Sequence, residues 1–292
     1  MVAGGDQQRD WVMDIMWLNV NGRRSRESNI AMALAMAKRP PFMMAFAETN
    51  TDTGDPPAAW EDYQMAARAP AWGRPNSGIE VYIEREQTCQ VQQLWDTGSG
   101  DALLVQVLVP KGQAYILFAH APHTQKVGKY AYREYWEEVW RAIVKYADPQ
   151  LTLLVMDANQ PARAEDRPGR RMEEGLRSFY GAHGLRDLTD VLQIPTETYS
   201  CVKGTEKSRI DTAAVTEDTK VRLLEARYWG SSALPDWHTP LMLLAAWPEE
   251  RVQRPRAKVR LCAHEQHMKN VELSRDELIS YRRSLAERRQ PE

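Results

Sequence analysis

Residues 11–22, WVMDIMWLNVNG, run apolar for the length of a strand and then turn polar. Trp11 to Val20 predicts a buried strand, and Asn21-Gly22 is the turn signal that stops it. The pattern recurs down the chain. Phe42 to Ala47 delivers Glu48-Thr49, Ala114 to Ala119 delivers His120-Ala121-Pro122, and Leu151 to Met156 delivers Asp157-Ala158-Asn159. Ser208-Arg209-Ile210-Asp211 leads into the strand expected at Ile210 to Val215. Asp236-Trp237-His238-Thr239-Pro240 leads into the one expected at Pro240 to Trp247. Polar groups at the ends of buried strands are held rigidly and can be aimed into one cleft.

Around these anchors, Gly78 to Glu84, Ala102 to Val109 and Ala114 to Ala119 read as a meander of antiparallel strands, with a Pro110-Lys111-Gly112 turn between the last two. A further strand is expected at Arg222 to Trp229. Helices are predicted at Asn29 to Lys38, stopped by Pro40-Pro41, at Tyr130 to Tyr146, and at Arg170 to Ala182. In the second, Tyr132, Trp136, Val139, Trp140 and Ile143 fall at helical spacing. Strands and helices mix without strict alternation, which predicts an α/β chain of the α+β kind: two stacked mixed β-sheets flanked by helices, more than a doubly wound parallel sheet. After Trp247 the character changes to Pro248-Glu249-Glu250, a basic stretch, and a helix announced by Ser274-Arg275-Asp276-Glu277. The expected division is a domain over 1–248 and a basic helical tail or linker over 249–292.

Composition narrows the classes. With 292 residues and 43% hydrophobic content the chain can build a real core, and its apolar runs are far shorter than a membrane span. Met1 to Asp10 has no apolar segment of signal-peptide length. Cys89, Cys201 and Cys262 are odd in number and widely spaced, so neither a disulfide framework nor a zinc-ligand spacing is present. A soluble, intracellular protein with no membrane partner is expected. The formal net charge is −2, yet residues 251–292 hold eleven Lys or Arg against six Asp or Glu. An acidic, cation-attracting body with a basic tail follows, and with it weak or partner-assisted binding to polyphosphates.

Taken in order, strand-Asn-x-x-Gly at Asn19, Glu-Thr at Glu48, His-x-Pro at His120, Asp-x-Asn at Asp157, Arg-x-Asp at Arg209 and the closing His238 resemble the endonuclease/exonuclease/phosphatase superfamily over roughly residues 11–247. The resemblance implies a DNase-like four-layer sandwich and phosphodiester hydrolysis dependent on Mg²⁺ or Mn²⁺. A carboxylate at the mouth of so apolar a strand as Met43 to Ala47 suits Glu48 as an oxygen ligand for such a cation. Asn19 and Asp211 are expected beside it in the metal shell, with Asn19 reaching the cation or the phosphate. By the same resemblance Asp157 orients or deprotonates the attacking water, and Asn159 holds a phosphate oxygen with Arg209 and Asn21 as further substrate contacts. His238 is the expected acid/base residue, and His120, with His123 close by, stabilises the phosphate or protonates the leaving oxygen. Three departures stand out. Met156 replaces the usual glycine before Asp157, Trp237 stands where an aspartate precedes the histidine, and Asp236 lies one position early, so His238 lacks its expected carboxylate neighbour.

Within the superfamily, Asn-Val-Asn-Gly at 19–22, Ala-Pro-His at 121–123, Thr198-Tyr199 and the basic segment after the nuclease fold look most like endonuclease domains of non-long-terminal-repeat retrotransposons. That implies target-DNA nicking, a reverse transcriptase module as partner and a nuclear location. A DNA-repair nuclease, an inositol-phosphate or lipid phosphodiesterase, and a degenerate DNA-binding copy are the alternatives.

Overall fold

A computed structural model of the chain describes residues 10–249 apart from 38–39, 164–165, 167–174, 193, 195–197, 204 and 231–237. Its strands in chain order are β1 Asp10–Asn19, β2 Met43–Ala47, β3 Tyr63–Ala69, β4 Ile79–Glu84, β5 Gln90–Asp96, β6 Ala102–Val109, β7 Gly112–His120, β8 Thr152–Asp157, β9 Leu185–Asp187, β10 Cys201–Lys203, β11 Glu206–Ser208, β12 Asp211–Thr216, β13 Arg222–Tyr228 and β14 Leu241–Pro248. The helices are α1 Arg23–Met36, α2 Thr124–Tyr146, α3 Gly175–His183 and α4 Leu188–Leu192. One six-stranded sheet runs β13-β14-β1-β2-β4-β3, the other β5-β6-β7-β8-β12-β9, and β10-β11 forms a separate hairpin. Both large sheets are mixed, with β1–β2 and β7–β8 parallel and the other pairings antiparallel.

Strand alternation builds the layers. Met13, Ile15 and Trp17 of β1 meet Ile116, Phe118 and Val155 of the second sheet in the central core, and Trp17 stacks on Phe118 with centroids 5.9 Å apart. The opposite face, Met16, Leu18, Met44 and Phe46, packs under Ile30 and Ala33 of α1. Leu117, Leu154 and Met156 pack under Tyr132 and Trp136 of α2 and Phe179 of α3. Helix, sheet, sheet and helix are therefore the four layers expected.

The local departures have physical causes. Helix α1 starts at Arg23, six residues before its expected onset, because Arg23 is buried and its N–H donates to Thr49 O at 3.1 Å. Gly22, at φ 97, makes the turn into it. Helix α2 likewise starts at Thr124 and breaks at Gly128, whose φ is 80. The predicted meander is corrected: β4 pairs with β2 and β3 in the first sheet, whereas β6 and β7 form a hairpin in the second. Alternation marks a half-covered strand but not its partner. The start of the helix expected from Arg170, and the basic tail beyond Glu249, lie outside the described residues. Among the described residues, no helix is long and apolar enough to cross a membrane.

Topology fixes where the polar strand ends meet. Parallel pairing sets Asn19 beside Ala47, immediately before Glu48, and His120 beside Asp157. Because β12 runs antiparallel to β8, its first residue, Asp211, is the register partner of Asp157. The start of β14 meets the end of β1 through Trp17 and Leu241, three residues after His238.

Candidate active site

Asn19, Glu48, His120, Asp157 and Asn159 form one hydrogen-bonded cluster, and the Asp211–His238 pair lies against it. Asn19 Nδ2 donates to Glu48 Oε1 at 2.9 Å and to Asp157 Oδ2 at 3.0 Å. His120 Nε2 lies 3.0 Å from Glu48 Oε1 and 3.2 Å from Asn159 Nδ2, and Asn159 Nδ2 donates to Ala121 O at 2.7 Å. His238 Nδ1 lies 2.9 Å from Asp211 Oδ2 and 3.9 Å from Asp157 Oδ2. Strain concentrates here as well: among the described residues six non-glycines have positive φ, and Asn21, Glu48, Asn50 and Asn159 belong to the loops of this cluster.

The charges are mutually dependent. Burial alone would raise the Glu48 carboxyl, but the hydrogen bonds and charge of His120, the amide of Asn19 and the charge of His238 bring it down to about 2. It is therefore a carboxylate at any ordinary pH. Burial raises Asp157, helped by the negative charge of Asp211 and opposed by both histidines and Asn19. Burial works against charge on His120, yet the Glu48 hydrogen bond and the charges of Asp157, Glu48 and Asp101 lift it above its usual value. His238, also opposed by burial, is lifted well above its usual value by Asp211, a hydrogen bond to Cys201, and Asp157. A buried carboxylate of raised basicity between two imidazolium groups can accept a proton from water while the cations face an incoming anion.

Several expectations change. Asn19 clamps two carboxylates through its Nδ2, and its Oδ1 accepts the Asn21 N–H at 3.1 Å. Arg209 is drawn away from substrate: it is 3% exposed, its Nε donates to Thr198 O at 3.0 Å, and the same atom faces Asp166 Oδ1 at 3.5 Å. Asn21 is exposed, and its N–H donates to Asn19 Oδ1. Met156 creates no conflict, because its side chain points into the helix layer while Asp157 points into the cleft. Asp236 and Trp237 lie outside the described residues, and the carboxylate that orients His238 is Asp211.

Sequence reasoning missed the residues that hold Asp211. Trp17 Nε1 donates to Asp211 Oδ1 at 3.2 Å, Ser200 Oγ accepts the N–H groups of Ile210 and Asp211, and Tyr228 donates to Asp211 O at 2.7 Å. Cys201 bridges to His238 across the backbone. The available signal was a tryptophan inside a buried strand, whose indole N–H needs an acceptor.

A divalent cation fits this donor set. Asp157, Asp211 and His238 present ligand atoms that all lie within 4.8 Å of one another, and Glu48 adds a hard carboxylate tied to Asp157 through Asn19.

No protein-family model matches the sequence, and no curated protein is significantly similar to it. Solved structures are similar in shape. The endonuclease domain of TRAS1, a telomere-specific non-LTR retrotransposon, superposes at TM-score 0.60 with 14% identity, over 82% of this chain and 100% of that one. An AP endonuclease from Leishmania major gives 0.61 with 14% identity over 81% and 88% of the two chains. One from Archaeoglobus fulgidus gives 0.61 with 15% identity over 80% and 99%. The two stacked mixed sheets, their flanking helices and these likenesses together show that the chain has the fold these nucleases share.

Proposed function

We propose that this protein is a divalent-metal-dependent endonuclease that hydrolyses DNA phosphodiesters, serving a non-long-terminal-repeat retroelement by nicking its target. The observation that carries the reading is the convergence of Glu48, His120, Asp157 and the His238–Asp211 pair on one cleft. Glu48 and Asp211 would hold Mg²⁺ or Mn²⁺, which when bound supplies Lewis-acid polarisation of a phosphoryl oxygen. Asp157 accepts a proton from the attacking water as its oxygen forms the new bond to phosphorus. His238, charged and steadied by Asp211, and the amide of Asn159 balance the charge growing on the phosphoryl oxygens. His120 faces the same oxygens from the other wall. The bond to the 3′ oxygen breaks, that oxygen takes the proton of His120, and 3′-hydroxyl and 5′-phosphate ends result.

The retroelement reading draws support from the TRAS1 likeness and from the motif spacing, and it entails a nuclear location and a reverse transcriptase partner. The equal likeness to AP endonucleases favours a second reading, cleavage at abasic sites. Nicking of supercoiled plasmid by wild type and Glu48→Ala, with Mg²⁺ and with chelator, tests the activity. An abasic oligonucleotide beside its undamaged counterpart separates the two readings. Metal-independent cleavage, or 3′-phosphate products, would sink the mechanism.

A further inference from the structure

Glu80 lies wholly buried in β4, on the strand face that elsewhere carries Tyr82 into the apolar layer beneath α1. Two guanidinium groups converge on it: Arg23 Nε is 2.8 Å from Oε2 and Arg68 Nη2 is 2.6 Å from Oε1. Thr51 and Tyr82 each donate a hydroxyl to it at 2.9 Å. Arg23 also pairs through Nη1 with Glu27 at 3.1 Å, and both arginines reach one segment of backbone. Arg68 Nη1 donates to the carbonyls of Asp52 and Asp55 at 2.7 and 2.8 Å, and Arg23 Nη2 to that of Pro56 at 2.7 Å. The Thr51 hydroxyl also lies 2.9 Å from that of Thr49.

That segment, residues 49–58, has no regular structure and directly follows Glu48. It begins in an unfavourable conformation, with Glu48 at φ 51 and Asn50 at φ 53, so the backbone there needs outside support. Gly22 N–H donates to Glu48 O at 2.7 Å, Thr49 N–H to Gly78 O at 3.1 Å, Asn50 N–H to Ser77 O at 2.9 Å and Ala71 N–H to Thr51 O at 2.8 Å, which ties the turn to its neighbours, while the two arginines of the Glu80 network take the carbonyls of Asp52, Asp55 and Pro56 further along. A buried ion cluster is a weak source of net stability, because desolvation offsets its attraction. Fixing a conformation is what this one does.

We propose that Glu80 is the positioning residue for Glu48: through Thr51, Arg23 and Arg68 it holds the 49–56 backbone so that the Glu48 carboxylate stays aimed into the cleft. The proposal rests on Glu48 as a cation ligand. Its test uses the full chain with Mn²⁺ as probe, comparing Thr51→Val, Thr51→Ser and Glu80→Gln. Mn²⁺ affinity is read by electron paramagnetic resonance, and hydrogen exchange by NMR at the Thr49 and Asn50 amides. Thr51→Val is expected to lose several-fold in Mn²⁺ affinity and Glu80→Gln about tenfold or more, with faster exchange confined to 49–56, while Thr51→Ser restores both. Should Glu80→Gln fail to fold, the valine and serine pair carries the test. Unchanged affinity and exchange would overturn the proposal, as would faster exchange spread evenly over β4 and α1. If wild type binds no Mn²⁺, the cation reading of Glu48 fails, whereas local exchange restored by serine still assigns the positioning role.

Discussion

His238 Nδ1 lies 2.9 Å from Asp211 Oδ2, a pairing across 27 positions of sequence that replaces the adjacent carboxylate the final motif lacks. The imidazole is thereby oriented from the neighbouring sheet, and its second anchor is the backbone bridge to Cys201.

Loss of His238 should accordingly damage turnover more than loss of His120. His238→Ala removes a charged group and leaves Asp211 unpaired beside Asp157, whereas His120→Ala leaves Asn159 and Asn19 in place around Glu48. Single-turnover nicking at saturating metal is expected to fall about 10²-fold or more for His238→Ala, roughly 3 kcal/mol of transition-state stabilisation, and less for His120→Ala. Near-wild-type cleavage by a folded His238→Ala protein would exclude the histidine from the chemistry.

The same pairing predicts a pH dependence of stability. Asp211 lifts His238 well above its ordinary 6.5, so its contribution is fully present below that value and is lost as pH rises through the raised one. Urea unfolding in chelator should therefore give a larger difference between wild type and His238→Gln at pH 6 than at pH 9.5. An equal difference at both pH values would show that the pair carries no charge coupling.

Much of this was legible in the sequence because chemistry sat at the ends of long apolar runs. Trp11 to Val20, Phe42 to Ala47 and Leu151 to Met156 announce strands buried on both faces, and their polar successors could be recognised without knowing the pairing. The edge strands β3 and β5 were not legible, although β13, also at an edge, was. Gln90–Asp96 is largely exposed and polar, and Tyr63–Ala69 is interrupted by a bulge near Ala66, so neither shows a clean period. Arg209 misled because its neighbour in the motif, Asp211, does face the cleft, while burial against Asp166 and Thr198 turned the arginine inward. The support of Asp211 by Trp17, Ser200 and Tyr228 joins three distant segments, and only the folded register brings them together.

The basic segment beyond Pro248 bears on affinity. Arg251, Arg254, Arg256, Lys258 and Arg260 offer phosphate contacts on a chain otherwise acidic. Deletion after Pro248 is expected to weaken DNA binding and flatten its salt dependence while leaving the positions of cleavage unchanged. Salt dependence identical to that of the full chain would assign those cations no part in binding.

Trp17 gives the sharpest link between core and chemistry. Its ring is wholly buried on Phe118, and its indole N–H reaches Asp211 Oδ1 at 3.2 Å, so one side chain both fills the space between the sheets and steadies the carboxylate behind His238. Trp17→Phe keeps an aromatic face but removes ring volume and the hydrogen bond to a charged acceptor, at a cost of about 2–4 kcal/mol in unfolding free energy. If the indole only filled space, the cleavage rate of the folded variant would be unaffected. Because it orients Asp211, single-turnover nicking should fall by roughly tenfold, and the stability gap between pH 6 and pH 9.5 should narrow as His238 loses its fixed partner. Measured together, a destabilised variant with an unchanged rate and an unchanged pH gap would leave Ser200 and Tyr228 as the groups that hold Asp211.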